Sequence, residues 1–164
     1  MDDEIDRVRA RLKTQRPAFD TSALALTDRV VRLARHLEIG RRQVLASRTL
    51  EVWEYDVLLA LRVADSASGL SPSELMAATQ VASGTVTNRV DRLQRRGLVT
   101  REPDPSDHRG VLVRLTTAGR RRADQASSAV AAAEGALWAN LAERRQTQLT
   151  AALREMLSAM ENGD

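Results

Sequence analysis

The sequence predicts a mainly α-helical chain that carries one small β-hairpin. Apolar residues recur at helical spacing over long segments near both ends of the chain, which favours amphipathic helices there. Two runs in between, residues 98–102 and 111–115, are the strand candidates, because the second alternates regularly and Pro and Gly punctuate the loop between them. No cysteine is present, so neither disulfides nor cysteine-bound zinc can hold the fold together.

Three helices are predicted in the first 64 residues. Residues 4–14 form a short helix that ends before Pro17. A longer helix begins near residue 20 or 21 and continues to about residue 44, and it can bend at Gly40, where glycine costs about 1 kcal/mol relative to alanine. The third helix, residues 50–64, carries apolar side chains on most of its faces, so we expect it to be central and buried.

A pair of short helices follows. In the first, Ser71 is placed to cap the helix, Pro72 occupies the first helical position and Glu74 completes a capping box. A turn at residues 79–82 leads to the second helix, for which Ser83 is the predicted N-cap. Two short helices joined by a tight turn are typical of the helix-turn-helix motif.

The second helix of this pair has one apolar face and one polar face. At 100° per residue, Val86, Val90 and Leu93 fall together and should pack on the core. The remaining surface carries short polar side chains and arginines. Asparagine can pair with adenine, arginine with guanine, and a threonine methyl with the thymine methyl, so this face suits the major groove of DNA. The alternative interpretation is an ordinary solvated helix face.

Two long helices are predicted after the hairpin. Thr116 or Thr117 caps the first, which runs to about residue 140. The second, residues 143–161, places five apolar side chains on one stripe, namely Leu149, Leu153, Met156, Leu157 and Met160. In a single chain these apolar faces, and that of the long N-terminal helix, would stay largely uncovered, so we predict a homodimer.

Positive charge is concentrated in one part of the chain. Residues 83–122 contain ten arginines and four acidic residues, a net charge of +6, whereas the whole chain carries only +3. Such segregation indicates a surface that faces a polyanion. A helix followed at once by a basic hairpin is the layout of a winged helix-turn-helix, in which the helix enters the major groove and the hairpin, the wing, reaches a neighbouring groove.

The loop of the wing contains two further candidates. Arg109, at its tip, is suited to insertion into the minor groove, because a narrow A·T groove attracts arginine. Asp107 would repel phosphate on its own, so we expect it to have an internal partner. Candidates are Arg109 and an arginine of the second helix of the pair, here called the reading helix. The alternative for Asp107 is turn chemistry, since aspartate is favoured in loops.

These segments resemble the MarR family of bacterial transcriptional regulators, from about Thr21 to Met160. The likeness is densest in SPSELMAAT, SGTVTNRVDRLQRRGLVTR and PDPSDHRGVLVRLTTAG. The resemblance implies a triangular homodimer joined through N- and C-terminal helices, with each lobe on one half of a pseudo-palindromic operator in double-stranded DNA. It also implies repression that is relieved when a small aromatic or phenolic ligand binds between the reader and the dimerisation helices.

The sequence and the resemblance together predict a division of the chain and a DNA-facing set. Residues 1–48 and 117–164 form the helical dimerisation region, and residues 49–116 form the winged helix-turn-helix. The residues expected to face DNA are Ser71, Ser73, Ser83, Gly84, Thr85, Thr87, Asn88, Arg92, Arg95, Asp107 and Arg109.

The extra N-terminal helix is similar to that of a urate-responsive subgroup of the family. Three residues match the subgroup's ligand pattern: Asp56, Arg89 and Arg101. The tryptophan that this pattern places in the added helix is absent, because Val8 or Arg9 stands there. An aspartate and two arginines at these positions also occur in the wider family as structural ion pairs, and a buried pair between Arg89 and Asp56 is the alternative to ligand binding.

Two other functional classes are less well supported. The two histidines, His36 and His108, lie far apart and have no nucleophile motif beside them, so we expect no enzyme, no metal site and no cofactor. A winged helix used only for protein–protein contact is opposed by the basic bias of residues 83–122. The charged N-terminus and the absence of a run of about 18 apolar residues predict a soluble, cytoplasmic protein without membrane association.

Overall fold

Seven helices and one antiparallel hairpin form the part of the chain that the computed structural model describes, residues 3–64, 69–105 and 110–162. The mainly helical architecture with a small hairpin confirms the predicted fold class. In chain order the elements are α1 (Glu4–Gln15), α2 (Ser22–Ala46), α3 (Val52–Val63), α4 (Pro72–Thr79), α5 (Ser83–Arg95), β1 (Val99–Pro103), β2 (Val111–Leu115), α6 (Thr117–Trp138) and α7 (Glu143–Glu161).

The chain divides into two compact units, Met1–Gln43 and Val44–Asp164. In the first unit, α1 begins with a capping box between Asp3 and Asp6. Arg29 of α2 contacts both carboxylates, with N–O distances of 2.8 Å to each. These ion pairs, together with the buried side chain of Ile5, hold α1 along α2.

Helix α3 is central to the second unit. Tyr55, Val57, Leu58 and Leu61 are buried, as the apolar pattern of residues 50–64 predicts, and belong to one core cluster with residues of α4, α5, α6 and both strands. The prediction is wrong at Val63, whose side chain is 79% exposed. Val63 is the last residue of α3, and the core no longer covers the helix there.

The start of α4 confirms the predicted capping box. The Ser71 hydroxyl accepts a hydrogen bond from the Glu74 amide at 3.3 Å, and the Glu74 carboxylate accepts one from the Ser71 amide at 2.7 Å. Pro72 occupies the first turn of the helix. Gln80 then adopts a left-handed conformation (φ 52°), which ends α4 and turns the chain towards α5.

Strands β1 and β2 pair in an antiparallel register that sets Val99 opposite Leu115 and Pro103 opposite Val111. The predicted strands, residues 98–102 and 111–115, are thus correct to within one residue. Leu70 adds an isolated bridge to Val113, through amide–carbonyl distances of 3.0 and 2.8 Å. Val113 is fully buried by these neighbours and fixes the hairpin on the core.

The junction between α5, β1 and α6 is closely packed. Thr116 caps α6, as predicted, by accepting a hydrogen bond from the Gly119 amide at 2.9 Å. The same hydroxyl donates to the carbonyl oxygen of Gly97 at 2.8 Å. A Cβ atom at Gly119 would lie 1.9 Å from the carbonyl oxygen of Leu98, so only glycine allows this approach.

The last two helices differ in their burial. Helix α6 contributes Ala123, Ala126 and Val130 to the core cluster. Helix α7 spans the predicted residues 143–161 but buries no residue. None of the helices in the described residues combines the length and the hydropathy that a membrane span requires.

Candidate nucleic-acid interface

Helix α5 separates its side chains as the sequence predicts. Val86, Val90 and Leu93 are buried and belong to the core cluster, which confirms the predicted inner face. The predicted N-cap, however, is wrong. Ala82 holds the extended cap conformation (φ −68°, ψ 154°), no side chain caps the helix, and Ser83 is already its first residue. The amide end of α5 is thus not closed by a side chain, which leaves it suited to an anion.

The outer face of α5 is polar and exposed over its first two turns. Ser83, Gly84, Thr85, Thr87 and Asn88 are all exposed. The Thr87 hydroxyl donates to the Ser83 carbonyl at 3.3 Å, so its polar group is used within the helix and its methyl remains for apolar contact.

Asn88 and Arg95 are the two side chains of this face with the greatest freedom to bind. Both are exposed, and neither makes a hydrogen bond or an ion pair with the residues that the structure describes. An unpartnered amide and an unpartnered guanidinium are the groups that read adenine and guanine in the major groove. The structure therefore places the predicted base-reading groups where a duplex could reach them.

One flank of α5 contacts the start of α3 through four residues, Glu51, Trp53, Arg89 and Arg92, here called the Trp53 cluster. The guanidinium carbon of Arg92 lies 4.6 Å from the centroid of the Trp53 ring, and that of Arg89 lies 5.6 Å from it. Glu51 accepts hydrogen bonds from Trp53 Nε1 at 2.6 Å and from Arg92 Nη2 at 2.7 Å. Arg92, predicted to face DNA, thus has two internal partners.

Glu51 is held in its ionised form by these neighbours. The indole N–H of Trp53 is the main cause that lowers the pKa of the Glu51 carboxyl, and the guanidinium groups of Arg92 and Arg96 lower it further. Near neutral pH the cluster therefore combines one negative charge with two arginines around an aromatic ring.

The C-terminal end of α5 is fixed by a second ion pair, whose carboxylate is buried. Arg96 Nη1 contacts both carboxylate oxygens of Glu54 at 2.5 Å, and its Nη2 donates to the Thr49 carbonyl at 2.8 Å. Glu54 is 2% exposed and also accepts a hydrogen bond from the Glu51 amide at 2.9 Å. A buried carboxylate with this many donors holds the end of α5 against α3.

The wing is tied to α5 by Arg101 of β1. Its Nη1 contacts the Asp91 carboxylate and, at 3.1 Å, the side-chain oxygen of Gln94, while Nη2 lies 3.4 Å from the Thr87 carbonyl oxygen. A guanidinium with partners on three successive turns fixes the direction of the hairpin relative to α5.

The wing tip is only partly described. The Asp104 amide donates to the Gly110 carbonyl at 3.0 Å, so the two ends of the loop are close together. Residues 106–109 between them, which include the candidates Asp107 and Arg109 as well as His108, lie outside the described residues. Their proposed roles stay predictions.

The two serine candidates at the start of α4 are the N-cap Ser71 and Ser73, whose hydroxyls bond to each other. The Ser71 hydroxyl lies 2.7 Å from a Glu74 carboxylate oxygen and 3.0 Å from the Ser73 hydroxyl. Ser73 is exposed, whereas Ser71 is half-buried. Ser71 therefore has a structural role, and contact of either residue with DNA stays a prediction.

The three predicted ligand residues lie in different surroundings. Asp56 lines a depression of about 410 Å³ between α3 and α4, with Leu59 and Val63 among its neighbours. Arg89 lines another, of about 290 Å³, beside Trp53. Arg101 binds Asp91, as described above. No group of three or more potential metal ligands occurs in the described part of the chain.

Sequence reasoning missed the Trp53 cluster and the pair between Glu54 and Arg96. Both pairs join residues more than 40 positions apart, and periodicity shows which face a residue occupies but not its partner. Two signals were available in retrospect, namely a glutamate on the buried face of α3 and a tryptophan two residues from another glutamate.

Comparison with known proteins agrees with this geometry. The MarR family model matches residues 48–110. The transcriptional regulator PecS of Dickeya dadantii is 27% identical over 116 residues, which cover 71% of this chain and 70% of PecS. The matched residues 48–110 include α3, α4, α5 and β1.

Solved structures show a similar fold. The reduced form of MarR from E. coli aligns with a TM-score of 0.67 and 30% identity, over 79% of this chain and 95% of that one. A cysteine-to-serine mutant of the same protein, complexed with operator DNA, gives 0.72 and 28%, over 84% and 96%. CouR from Rhodococcus jostii, bound to p-coumaroyl-CoA, gives 0.68 and 27%, over 87% and 94%.

Proposed function

Because the chain belongs to the MarR family of transcriptional regulators, we propose that it binds a pseudo-palindromic operator in double-stranded DNA as a homodimer. The observation that carries this proposal is the outer face of α5, where exposed Asn88 and Arg95 have no partner among the described residues. The likeness to a MarR structure solved with operator DNA supports it. Relatives are regulators, and catalysis is not proposed.

Within that complex α5 lies in the major groove. Asn88 and Arg95 read base edges, and the methyl group of Thr87 contacts a thymine. The amide end of α5, together with Ser83, Gly84 and Thr85, meets a phosphate. The wing reaches the neighbouring groove through Arg109, and Ser71, Ser73, Arg92 and Asp107 complete the predicted DNA-facing set.

Exposed apolar side chains support the homodimer. In the first unit they include Leu24, Leu26, Val30 and Val31, and in α7 they include Leu153, Met156, Leu157 and Met160. Apolar surface of this extent is normally covered, and a second copy of the chain would cover it. The division into a dimerisation region (1–48 and 117–164) and a DNA-binding domain (49–116) is part of this proposal. The dimer acts in the cytoplasm, where operator DNA is accessible.

We propose that this regulator represses transcription and that a small aromatic or phenolic effector relieves the repression. CouR, a structural relative, was solved with an aromatic acyl-CoA, which supports this class of ligand. Asp56, Arg89 and Arg101 are the proposed contacts. Their separate surroundings mean that one ligand reaches all three only if side chains rearrange.

Fluorescence anisotropy with a duplex selected from a random-sequence pool tests DNA binding. We expect affinity to fall with added salt, with a log–log slope of about −0.9 for each phosphate contacted. The change Asn88→Ala should reduce discrimination at one base position in each half-site by about 1–3 kcal/mol, whereas Thr150→Ala on α7 should leave it unchanged. Binding that ignores salt, or no binding, would favour the protein–protein interaction module instead.

A further inference from the structure

Glu51 binds the same arginine that the reading helix would offer to DNA. Resting on the proposed function, we infer that Glu51 competes with the DNA backbone for Arg92, so that this ion pair sets both the affinity for duplex and its salt dependence. The inference assigns a regulatory role to Glu51, a residue outside the predicted DNA-facing set.

The pair is accessible enough to exchange partners. Its N–O distance is 2.7 Å, and the side chains of Arg92 and Glu51 are 47% and 56% exposed. Exposed ion pairs are weak because water and salt screen them. A carboxylate and a phosphate both present oxygens that suit a guanidinium, so either can occupy the same donors. While Glu51 is bound, its negative charge offsets the positive charge of Arg92, and its carboxylate occupies one of the donors that a phosphate would use.

Arg92 also lies where a phosphate could replace the carboxylate. It lines the depression of about 290 Å³ beside Trp53 together with Gly84, Thr85 and Asn88, which belong to the uncapped start of α5 and its polar face. A DNA strand that follows this face would therefore bring its phosphates to the guanidinium.

Trp53 keeps both members of the ion pair in place. Its ring lies 4.6 Å from the Arg92 guanidinium carbon, a cation–π contact that does not depend on which anion the arginine binds. Its Nε1 donates to the other carboxylate oxygen of Glu51 at 2.6 Å, so Glu51 stays beside the arginine rather than turning into solvent.

The neighbouring pair of Arg96 and Glu54 cannot exchange in this way. Glu54 is 2% exposed and binds through both oxygens, so separation would leave a buried charge without its partner. Of these two pairs between α3 and α5, only the one at Glu51 can open to DNA at small cost.

The test is a double-mutant cycle on the full chain, with one duplex selected by the unchanged protein. Glu51→Gln removes the charge and keeps one acceptor oxygen, so Trp53 and Arg92 no longer each have a carboxylate oxygen to bind. We expect affinity to rise about two- to fivefold, which corresponds to an exposed ion pair, and the salt slope to steepen by about 0.9. In an Arg92→Gln background the same change should have no effect, because the competitor has lost its target.

Other outcomes would overturn the inference. No gain from Glu51→Gln, or an equal gain in both backgrounds, would mean that the carboxylate acts by general repulsion or not at all. If the unchanged chain binds no duplex, the proposed function fails as well, which distinguishes the two failures. Asp124→Asn is the matched control: its pair with Arg62 also has an N–O distance of 2.7 Å and is exposed, but joins α3 to α6, and affinity should not change.

Discussion

The region from α3 to β2 and helix α7 differ in how far their leucines are buried. Leu93 of α5 is fully buried in a core shared by five helices and both strands, whereas Leu157 of α7 is 57% exposed. Both helices are amphipathic in sequence. An apolar stripe therefore does not reveal what covers it: the stripe of α5 is covered within the chain, whereas we propose that a second copy covers the stripe of α7.

The largest effect is expected at the covered leucine. Leu93→Ala should lower the free energy of unfolding by about 2–5 kcal/mol, because it leaves a cavity in a closed core. Urea denaturation followed by circular dichroism measures the change. Leu157→Ala serves as the comparison and should cost far less at protein concentrations where the chain is monomeric. Equal losses at both positions would abolish the contrast.

The exposed stripe should control assembly instead. Leu157→Glu should raise the dissociation constant of the homodimer at least about tenfold, because a charge would be buried at the interface. Sedimentation velocity over a dilution series measures it. Glu155→Gln, on the opposite face of α7, should leave assembly unchanged. If the dissociation constant of Leu157→Glu equals that of the unchanged chain, the apolar stripe of α7 does not lie in the dimer interface.

The starts of α4 and α7 also differ, because a side chain caps only the first of them, and the effects expected from this difference are smaller. The α4 start is closed by Ser71, whereas Ala142 at the start of α7 makes no side-chain cap hydrogen bond. Ser71→Ala should therefore destabilise the chain by about 1 kcal/mol, and Ala142→Ser should stabilise α7 by a similar amount. Thermal unfolding measures both, and a neutral Ser71→Ala would show that the capping box is dispensable.

The capping box also predicts a dependence on pH. The Ser71 amide, and then its hydroxyl, lower the pKa of the Glu74 carboxyl by donating hydrogen bonds to it. A lowered pKa in the folded state means that the stabilisation is complete above the ordinary glutamate value of about 4.3 and is lost as the pH falls through the lowered pKa. Denaturation midpoints measured between pH 3 and pH 6 (a range of about three units around that value) should show a smaller decline for Glu74→Gln.

The smallest effect is expected at Gly40, and Gly119 provides the contrast. Gly40 of α2 has open space where a Cβ would lie, whereas Gly119 of α6 does not. Gly40→Ala should raise the free energy of unfolding by about 0.5–1 kcal/mol, since it removes the entropic cost of a helical glycine. Gly119→Ala should lower it. Chemical denaturation distinguishes them, and a loss at Gly40 would indicate that a partner copy packs there.

Much of the fold could be predicted because its signals are local. The capping box of Ser71 and Glu74, the inner face of α5 and the hairpin all follow from spacing and turn residues, and the structure confirms them. The errors are local too. Ser83 is not the N-cap, because Ala82 holds the extended cap conformation. Val63 is exposed because it is the last residue of α3.

The site was less predictable, because its geometry depends on contacts between distant residues. The outer face of α5 could be identified from periodicity, and so could Asn88 and Arg95. That Arg92 would bind Glu51 and stack on Trp53 depends on how α3 and α5 cross, which no local pattern contains. The wing candidates Asp107 and Arg109 remain predictions.

The hydroxyl of Thr116 has a consequence for signal transmission. It donates to the carbonyl oxygens of Gly97 and Leu98 and accepts a hydrogen bond from the amide of Gly119. One side chain thus joins the residues that follow α5 to the first turn of α6. Any reorientation of α6 would therefore be transferred to the neighbouring backbone without slack. In the homodimer proposed above, a tilt of α6 would therefore change the spacing between the two copies of α5, on which simultaneous binding of both operator halves depends.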